Sequence, residues 1–344
     1  MVKVSSLGDV LHNIPVVWDI KRSYPDAKID WLVEETYVSL VEPLLDQDNV
    51  RIVDRIIPTS LRRWKKLIKN KASWSCLHRE TADFLYDLRA VEYDLIIETQ
   101  GLIKTAALCR LARKKTSGKI FGIANKTEFS GYEPLARLFY DVSVRVPFRC
   151  HAVDRSRFIA SAALGEPPPM RSQLPPEFYR DTSFLGRAQS SDLLPDTFSS
   201  APYALCFHAS AWVAKCWPET HWIALAKVLV YRGIIPIFPW GTPAERVVSE
   251  RIAGQVPGAK VPEAYGLHEF FSIIAAASIT VGVDTGLMHL SAILGVPTVE
   301  LYLATPRWKT EGYWSDRIVN LGDKGEVPSV EEAVKATLGL LSLN

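Results

Sequence analysis

Hydrophobic positions along the chain switch repeatedly between two periods. Ile279–Val283 is short, apolar and mostly β-branched, whereas Leu287, Leu290, Ile293 and Leu294 recur at helical spacing. Gly295 then stops the helix and a second apolar run extends from Val296 to Tyr302. The stretch Val281–Leu290 therefore predicts a buried strand, a short turn at Asp284-Thr285-Gly286, and a helix whose first N–H groups are free for an anion. The same alternation begins near Met1. A very short strand at Val2–Ser6 leads into a helix with Leu11, Ile14, Val17, Trp18 and Ile20 on one face. Strands follow at Lys28–Glu35 and Arg51–Ile57, then a basic amphipathic stretch, Leu61–Lys71, and a helix over Thr81–Val91. Tyr93–Glu98 reads as a buried strand ended by Gly101, with a helix over Leu102–Ala112. Strands around Ile120 and at Val142–Val146, and a helix at Val153–Leu164, complete this half.

Residues 166–200 break the pattern, with Pro167, Pro168, Pro169, Pro175, Pro176 and Pro195 among many Ser and Asp residues. The alternation then resumes: strand Tyr203–Phe207, helix Pro218–Tyr231, strand Ile234–Phe238, and helices Pro243–Ala253 and Leu267–Ala277. Strands alternating with helices imply an α/β fold of two Rossmann-like, doubly wound parallel domains facing across a cleft. The expected division is 1–165, a linker at 166–200, and 201–328. A last helix over 329–344, started by the capping box Ser329-Val330-Glu331-Glu332, is expected to pack back on the first domain. Ligands of such folds sit beyond the carboxyl ends of the strands, so the residues just after strands become the candidates.

At 344 residues and 48% apolar content the chain can fill two cores, and its charged fraction of 23% argues against disorder. The net charge of +2 hides an asymmetry: residues 1–165 hold 26 basic against 20 acidic residues, and 166–344 hold 14 against 18. The basic excess concentrates between Arg51 and Lys119, with 16 basic against seven acidic residues, as for a half that meets an anionic partner. Cys76, Cys109, Cys150, Cys206 and Cys216 form no CxxC pair and no metal-ligand spacing, which reads as reduced thiols in a cytoplasmic protein. No apolar run reaches the roughly 18 residues needed to span a bilayer. Contact with a membrane surface stays open.

No P-loop and no GxGxxG fingerprint follows a strand. Instead Lys215, just before a Pro-started helix, and the Thr285-Gly286 helix start would neutralise a diphosphate. Glu245, after Pro239-Trp240-Gly241, suits a ribose, although a helix cap serves its spacing as well. Asp9 follows the opening strand, where a carboxylate can take a proton from an acceptor hydroxyl or cap the next helix. Arg62-Arg63-Trp64-Lys65-Lys66 suits an anionic carboxylate or phosphate, or a solvated helix face. Nucleic acid is not expected as a partner at so small a net charge.

The segments Ser5-Ser6-Leu7-Gly8-Asp9-Val10-Leu11-His12, Trp31-Leu32-Val33-Glu34-Glu35, Arg62-Arg63-Trp64, Gln100-Gly101-Leu102-Ile103-Lys104, Lys215-Cys216-Trp217-Pro218, Pro239-Trp240-Gly241 and Asp284-Thr285-Gly286-Leu287-Met288-His289 resemble the lipopolysaccharide heptosyltransferases of glycosyltransferase family 9. Among these, the resemblance is strongest to the branch that adds the first heptose of the inner core. It implies a GT-B fold and inverting transfer of L-glycero-D-manno-heptose from ADP-L-glycero-D-manno-heptose to the Kdo of Kdo-lipid A, with no cofactor and no required metal. It implies an enzyme working peripherally at the cytoplasmic face of the inner membrane. By position it makes Asp9 the general base. Ser210, Lys215, Asp284, Thr285, Gly286 and His289 become donor diphosphate contacts, and Glu245 a ribose contact. Arg62, Arg63 and Lys104 become acceptor-side cations. Three departures stand out. The opening strand looks clipped, an expectation of further residues upstream of Met1. Ser210-Ala211 replaces two threonines, and Tyr132 stands where relatives often carry Arg. Alternatives are the second-heptose branch or another ADP-heptose transferase, a two-domain NAD-dependent oxidoreductase, and a non-catalytic nucleotide-sugar binder.

Overall fold

The computed structural model describes residues 1–42, 52–167, 198 and 201–342. The chain forms two compact units, Met1–Pro176 and Glu177–Asn344. The linker expected at 166–200 lies almost wholly outside the described residues, as does the start of the strand expected at Arg51.

In the first unit the strands are β1 (Asp30–Glu34), β2 (Arg55–Thr59), β3 (Tyr93–Ile97), β4 (Lys114–Ile123) and β5 (Val142–Val144). They form two parallel sheets, β1–β2 and β3–β4–β5, which the opening residues join. Val2 bridges Leu32 on one side and Glu98 on the other, both in parallel. Its N–H donates to the Ile97 carbonyl at 2.8 Å, and Glu34 N–H donates to the Val4 carbonyl at 3.2 Å. Counting that segment as the first strand, the order is 3-2-1-4-5-6, a doubly wound arrangement whose order reverses between Val2–Val4 and β3. Helix α1 (Leu7–Leu11) follows the opening segment, and α2 (Ile14–Ser23) restarts after His12-Asn13. Next come α3 (Leu61–Leu67), α4 (Trp74–Leu88), α5 (Ile103–Leu111) and α6 (Ala152–Leu164). The single helix expected over Leu11–Ile20 is thus two. Pro15 explains the restart, since it has no N–H to continue the first helix and fits the first turn of the second. A buried ion pair, Asp19 with Arg157 at 2.7 and 2.9 Å, ties α2 to α6.

The second unit has β6 (Tyr203–Phe207), β7 (Ile235–Ile237), β8 (Ile279–Val283), β9 (Thr298–Tyr302) and β10 (Ile318–Gly322), all parallel in the order β10-β9-β8-β6-β7. Strands β6, β8 and β9 are buried at every residue, as strands covered by helices on both faces must be. The order reverses between β6 and β8. Helices α7 (Glu219–Tyr231), α8 (Pro243–Ala253), α9 (Leu267–Ala275), α10 (Gly286–Ile293) and α11 (Val330–Leu341) flank the sheet. The last helix corrects an expectation. Instead of returning to the first unit it packs on α7, β8, β9 and β10. Ala333 and Leu340 enter the same core as Val281 and Leu301, and the Trp217 indole N–H donates to the Pro328 carbonyl just ahead of it. Its apolar stripe covers a sheet face that would otherwise meet water.

Candidate functional site

In the first unit the reversal of strand order sets Ser5–Asp9 beside Thr99–Lys104. Gln100 couples the two turns, its Oε1 accepting the Val4 and Ser5 N–H groups at 3.2 and 3.3 Å. Beneath them lies Glu98, fully buried. It accepts from the N–H groups of Gln100 and Gly101, from the Thr105 hydroxyl at 2.8 Å and from the Tyr140 hydroxyl at 2.6 Å. With so many donors a buried carboxylate becomes a rigid pedestal for the turn. Gly101 at φ +79° completes it, since a Cβ there would be strained and would stand 2.9 Å from Ile123.

Asp9 sits in the first turn of α1. Its Oδ2 accepts from Ser6 N–H at 3.0 Å, and its Oδ1 lies 3.5 Å from Lys3 Nζ. Lys3 is buried, and burial pulls its pKa below the usual lysine value while Asp9 offsets part of the shift. The Asp9 side chain stays 38% exposed, so it caps the helix and remains reachable by a ligand. The expected acceptor cations are placed unequally. Arg62 is exposed, with its guanidinium 5.6 Å from the Tyr37 ring centre. Lys104 is exposed in the first turn of α5. Arg63 instead pairs with Glu35 at 2.8 Å and with Glu80, so it ties the turn after β1 to α3 and α4. Tyr132, the departure from the family pattern, donates its hydroxyl to the Ala124 carbonyl at 2.7 Å.

In the second unit the corresponding reversal brings the residues after β6 next to those after β8. Lys215 ends a short 3-10 turn, Val213–Lys215, and its Nζ meets Asp284 Oδ2 at 2.7 Å. Thr305 donates to the same oxygen at 2.5 Å, and Thr310 to Oδ1 at 3.4 Å. Behind Asp284, His289 Nε2 lies 3.5 Å from Oδ1 while its Nδ1 lies 3.2 Å from Glu300 Oε1. Glu300 also accepts from the Tyr302 hydroxyl at 2.7 Å. Side-chain exposure falls from 20% at Lys215 through 6% at Asp284 and 4% at His289 to zero at Glu300. The cation therefore reaches the surface and the carboxylates anchor it from beneath.

Burial favours the neutral forms of Asp284 and His289, yet their partners win. Asp284 is held far below the usual carboxylate range by His289 and Lys215, and Asp284 with Glu300 raises His289 to about 9. Thr285 is the N-cap of α10, with extended backbone and no side-chain capping bond. The first N–H groups of that helix have no intrahelical acceptor and point positive dipole ends outward. Gly282 lets the helix start lie against the sheet: a Cβ there would stand 2.4 Å from Met288 Sδ and 2.8 Å from Phe207 Cβ.

Lys215, Asp284, Thr285, Gly286 and His289 are thus assembled at one place, though His289 is a buried brace rather than a surface contact. Ser210 lies in the loop after β6, where its hydroxyl accepts the Trp212 N–H at 3.4 Å. Glu245 is the third residue of α8 and forms a capping box with Thr242, its Oε2 taking the N–H groups of Gly241 and Thr242 at 2.8 and 3.0 Å. Sequence reasoning missed Glu98 and Glu300. For Glu300 the available signal was a lone carboxylate within an otherwise apolar, fully buried strand; for Glu98, which follows a strand that also carries Asp94, no such signal stood out.

Comparison with known proteins fits this architecture. Residues 82–337 match the model of glycosyltransferase family 9 (heptosyltransferase). Lipopolysaccharide heptosyltransferase 1 of Pseudomonas aeruginosa is 36% identical, over 92% of this chain and 82% of its own length. The solved structure of Escherichia coli heptosyltransferase WaaC with ADP superposes with a TM-score of 0.79 at 31% identity, covering 99% of this chain and 98% of that one. The same enzyme with ADP-2-deoxy-2-fluoro heptose gives 0.73 at 30% identity, covering 100% and 98%. Two Rossmann-like units of parallel sheet give the chain the GT-B fold of these enzymes. In sequence, in strand order and in the class of enzyme it is, the chain belongs to glycosyltransferase family 9, the heptosyltransferases.

Proposed function

We propose that the protein transfers L-glycero-D-manno-heptose from ADP-L-glycero-D-manno-heptose to the Kdo of Kdo-lipid A, with inversion at the anomeric carbon, at the cytoplasmic face of a membrane. The observation that carries this reading is the Lys215–Asp284–His289–Glu300 network at the head of α10, a cationic group and free N–H dipoles braced from below. Such a site suits a diphosphate leaving group, whose charge grows as its bond to the sugar breaks. The acceptor hydroxyl attacks the anomeric carbon and its proton passes to the Asp9 carboxylate. The bond from that carbon to the ADP oxygen breaks with its electron pair going to ADP. Glu245 serves the ribose, Ser210 the phosphates, and Arg62 and Lys104 the acid groups of the acceptor. In this reading Arg63 acts by holding the Arg62 helix in place.

Mass spectrometry of Kdo-lipid A after incubation with ADP-heptose and enzyme tests the proposal. The expected product carries one added heptose. Transfer to an already heptosylated acceptor, with none to Kdo-lipid A, would assign the enzyme to the next step instead.

A further inference from the structure

Helices α3 and α4 of the first unit enclose an apolar groove of about 560 Å³, lined by Leu61, Trp64, Ile68, Trp74 and Leu77 with Lys65 at its edge. Ile68 and Trp74 are more than half exposed, at 59% and 52%. Large apolar side chains left in water together mark a surface that meets something apolar. The charge along the α3 side of the groove is one-sided. Between Leu61 and Ser73 stand six basic residues and no acidic one. Arg63 is taken up by Glu35 and Glu80, while Lys65, Lys66, Lys69 and Lys71 are exposed.

The place of the groove in the unit follows from helix geometry. Arg55, at the start of β2, donates to the carbonyl of Asp87 near the end of α4, so that end lies at the amino edge of the sheet. Fifteen residues of helix run back roughly 22 Å from there, which carries Trp74 to the carboxyl edge. That is the edge from which Ser5–Asp9 and Gln100–Lys104 leave the strands.

We propose that this groove and its lysines dock the enzyme on an anionic lipid bilayer, with Ile68 and Trp74 entering the headgroup boundary. An aromatic ring and an aliphatic side chain flanked by lysines have the chemistry of an interfacial anchor, where each basic residue near an anionic surface contributes about fivefold in affinity. The inference rests on the proposed lipid-borne acceptor, for which such docking sets the acceptor end of the unit against the surface that carries it.

Co-sedimentation of the full chain with vesicles tests the docking. Wild-type protein should bind phosphatidylcholine vesicles containing phosphatidylglycerol, release with salt, and ignore pure phosphatidylcholine. Ile68→Ser with Trp74→Ser should weaken binding about tenfold, or about 1.4 kcal/mol. Lys69→Gln with Lys71→Gln should weaken it more, by about twenty-five-fold. Both variants should keep wild-type ADP affinity, which reports folding, and wild-type transfer to an acyl-free, water-soluble Kdo acceptor, while transfer to vesicle-borne acceptor falls. Variants that bind vesicles like the wild type, or a wild-type chain indifferent to anionic lipid, would overturn the proposal. Failure of the wild type to modify the soluble acceptor would refute the function beneath it, and vesicle binding would still decide the docking.

Discussion

Replacing Glu300 by Gln removes the deepest charge beneath the proposed donor site without changing its shape. In the native protein burial opposes protonation of His289, and Asp284 and Glu300 together reverse that and raise its pKa from 6.5 to about 9. A shift of that size corresponds to about 3 kcal/mol of preference for the charged imidazole. The sign follows directly. A folded pKa above the unfolded one gives stability that is full below about pH 6.5 and is lost as pH rises through about 9. The depressed pKa of Asp284 shares its contact with His289, already counted, and adds only its pairing with Lys215. In the Glu300→Gln variant one carboxylate must balance the same burial, so the His289 pKa should fall back toward about 6.5. At about pH 8 the imidazole is then neutral, and Asp284 is left with Lys215 as its one charged partner in this network. The variant loses the positive charge of His289 together with the deeper negative charge of Glu300. Because the imidazole lies nearer the surface of the site its loss dominates, so ADP binding should weaken several-fold, short of the full worth of a charge-assisted hydrogen bond. At about pH 6 the variant should bind ADP as well as the native protein, because histidine is again protonated and one negative charge is gone. Calorimetric titration with ADP across this range decides the matter. Equal, flat affinity of native and variant protein from about pH 6 to about pH 8 would show that the network does not set the charge of the site.

Other substitutions test separate parts of the molecule. Asp9→Asn should retain the cap on α1 and ADP affinity but lose transfer by about a hundredfold to ten-thousandfold, no better than Asp9→Ala; an active Asn variant removes Asp9 as base. Gly282→Ala forces a methyl group against Met288 and Phe207, and should cost about 1–3 kcal/mol in thermal unfolding and weaken ADP binding with it. Arg62→Ala should raise the KM for acceptor at unchanged Tm. Arg63→Ala should lower Tm by breaking exposed pairs worth up to about 1 kcal/mol. An unchanged Tm for the second variant would return Arg63 to the acceptor site.

Periodicity recovered the elements whose environment is uniform. Strands Tyr203–Phe207 and Ile279–Val283 are buried on both faces, and helix Pro243–Ala253 carries Thr242, Pro243 and Glu245 as its start signal. Elements with mixed surroundings were harder. The helix expected to start at Thr81 begins at Trp74, because its first turn exposes Trp74 and Ser75 and the polar run His78-Arg79-Glu80 follows at once. Strand β10 was missed because it is half-buried throughout and interrupted by Asn320. The candidate site divided along the same line. Local motifs marked Asp9, Lys215 and the Asp284–Gly286 turn. The brace that joins Lys215, Asp284, Glu300 and Thr305 depends on contacts between distant residues, which strand order creates and local spacing does not show.

The final helix has a consequence for how such a protein is inherited. Because Val330–Leu341 closes the sheet it follows, the chain passes from one unit to the other once, between Gly165 and Pro202. Each half keeps its own core and its own set of loops at the strand ends. Under the proposed assignment of donor and acceptor to separate units, a single recombination within that junction would exchange one substrate preference while leaving the other intact, so that donor choice and acceptor choice would drift on separate evolutionary clocks.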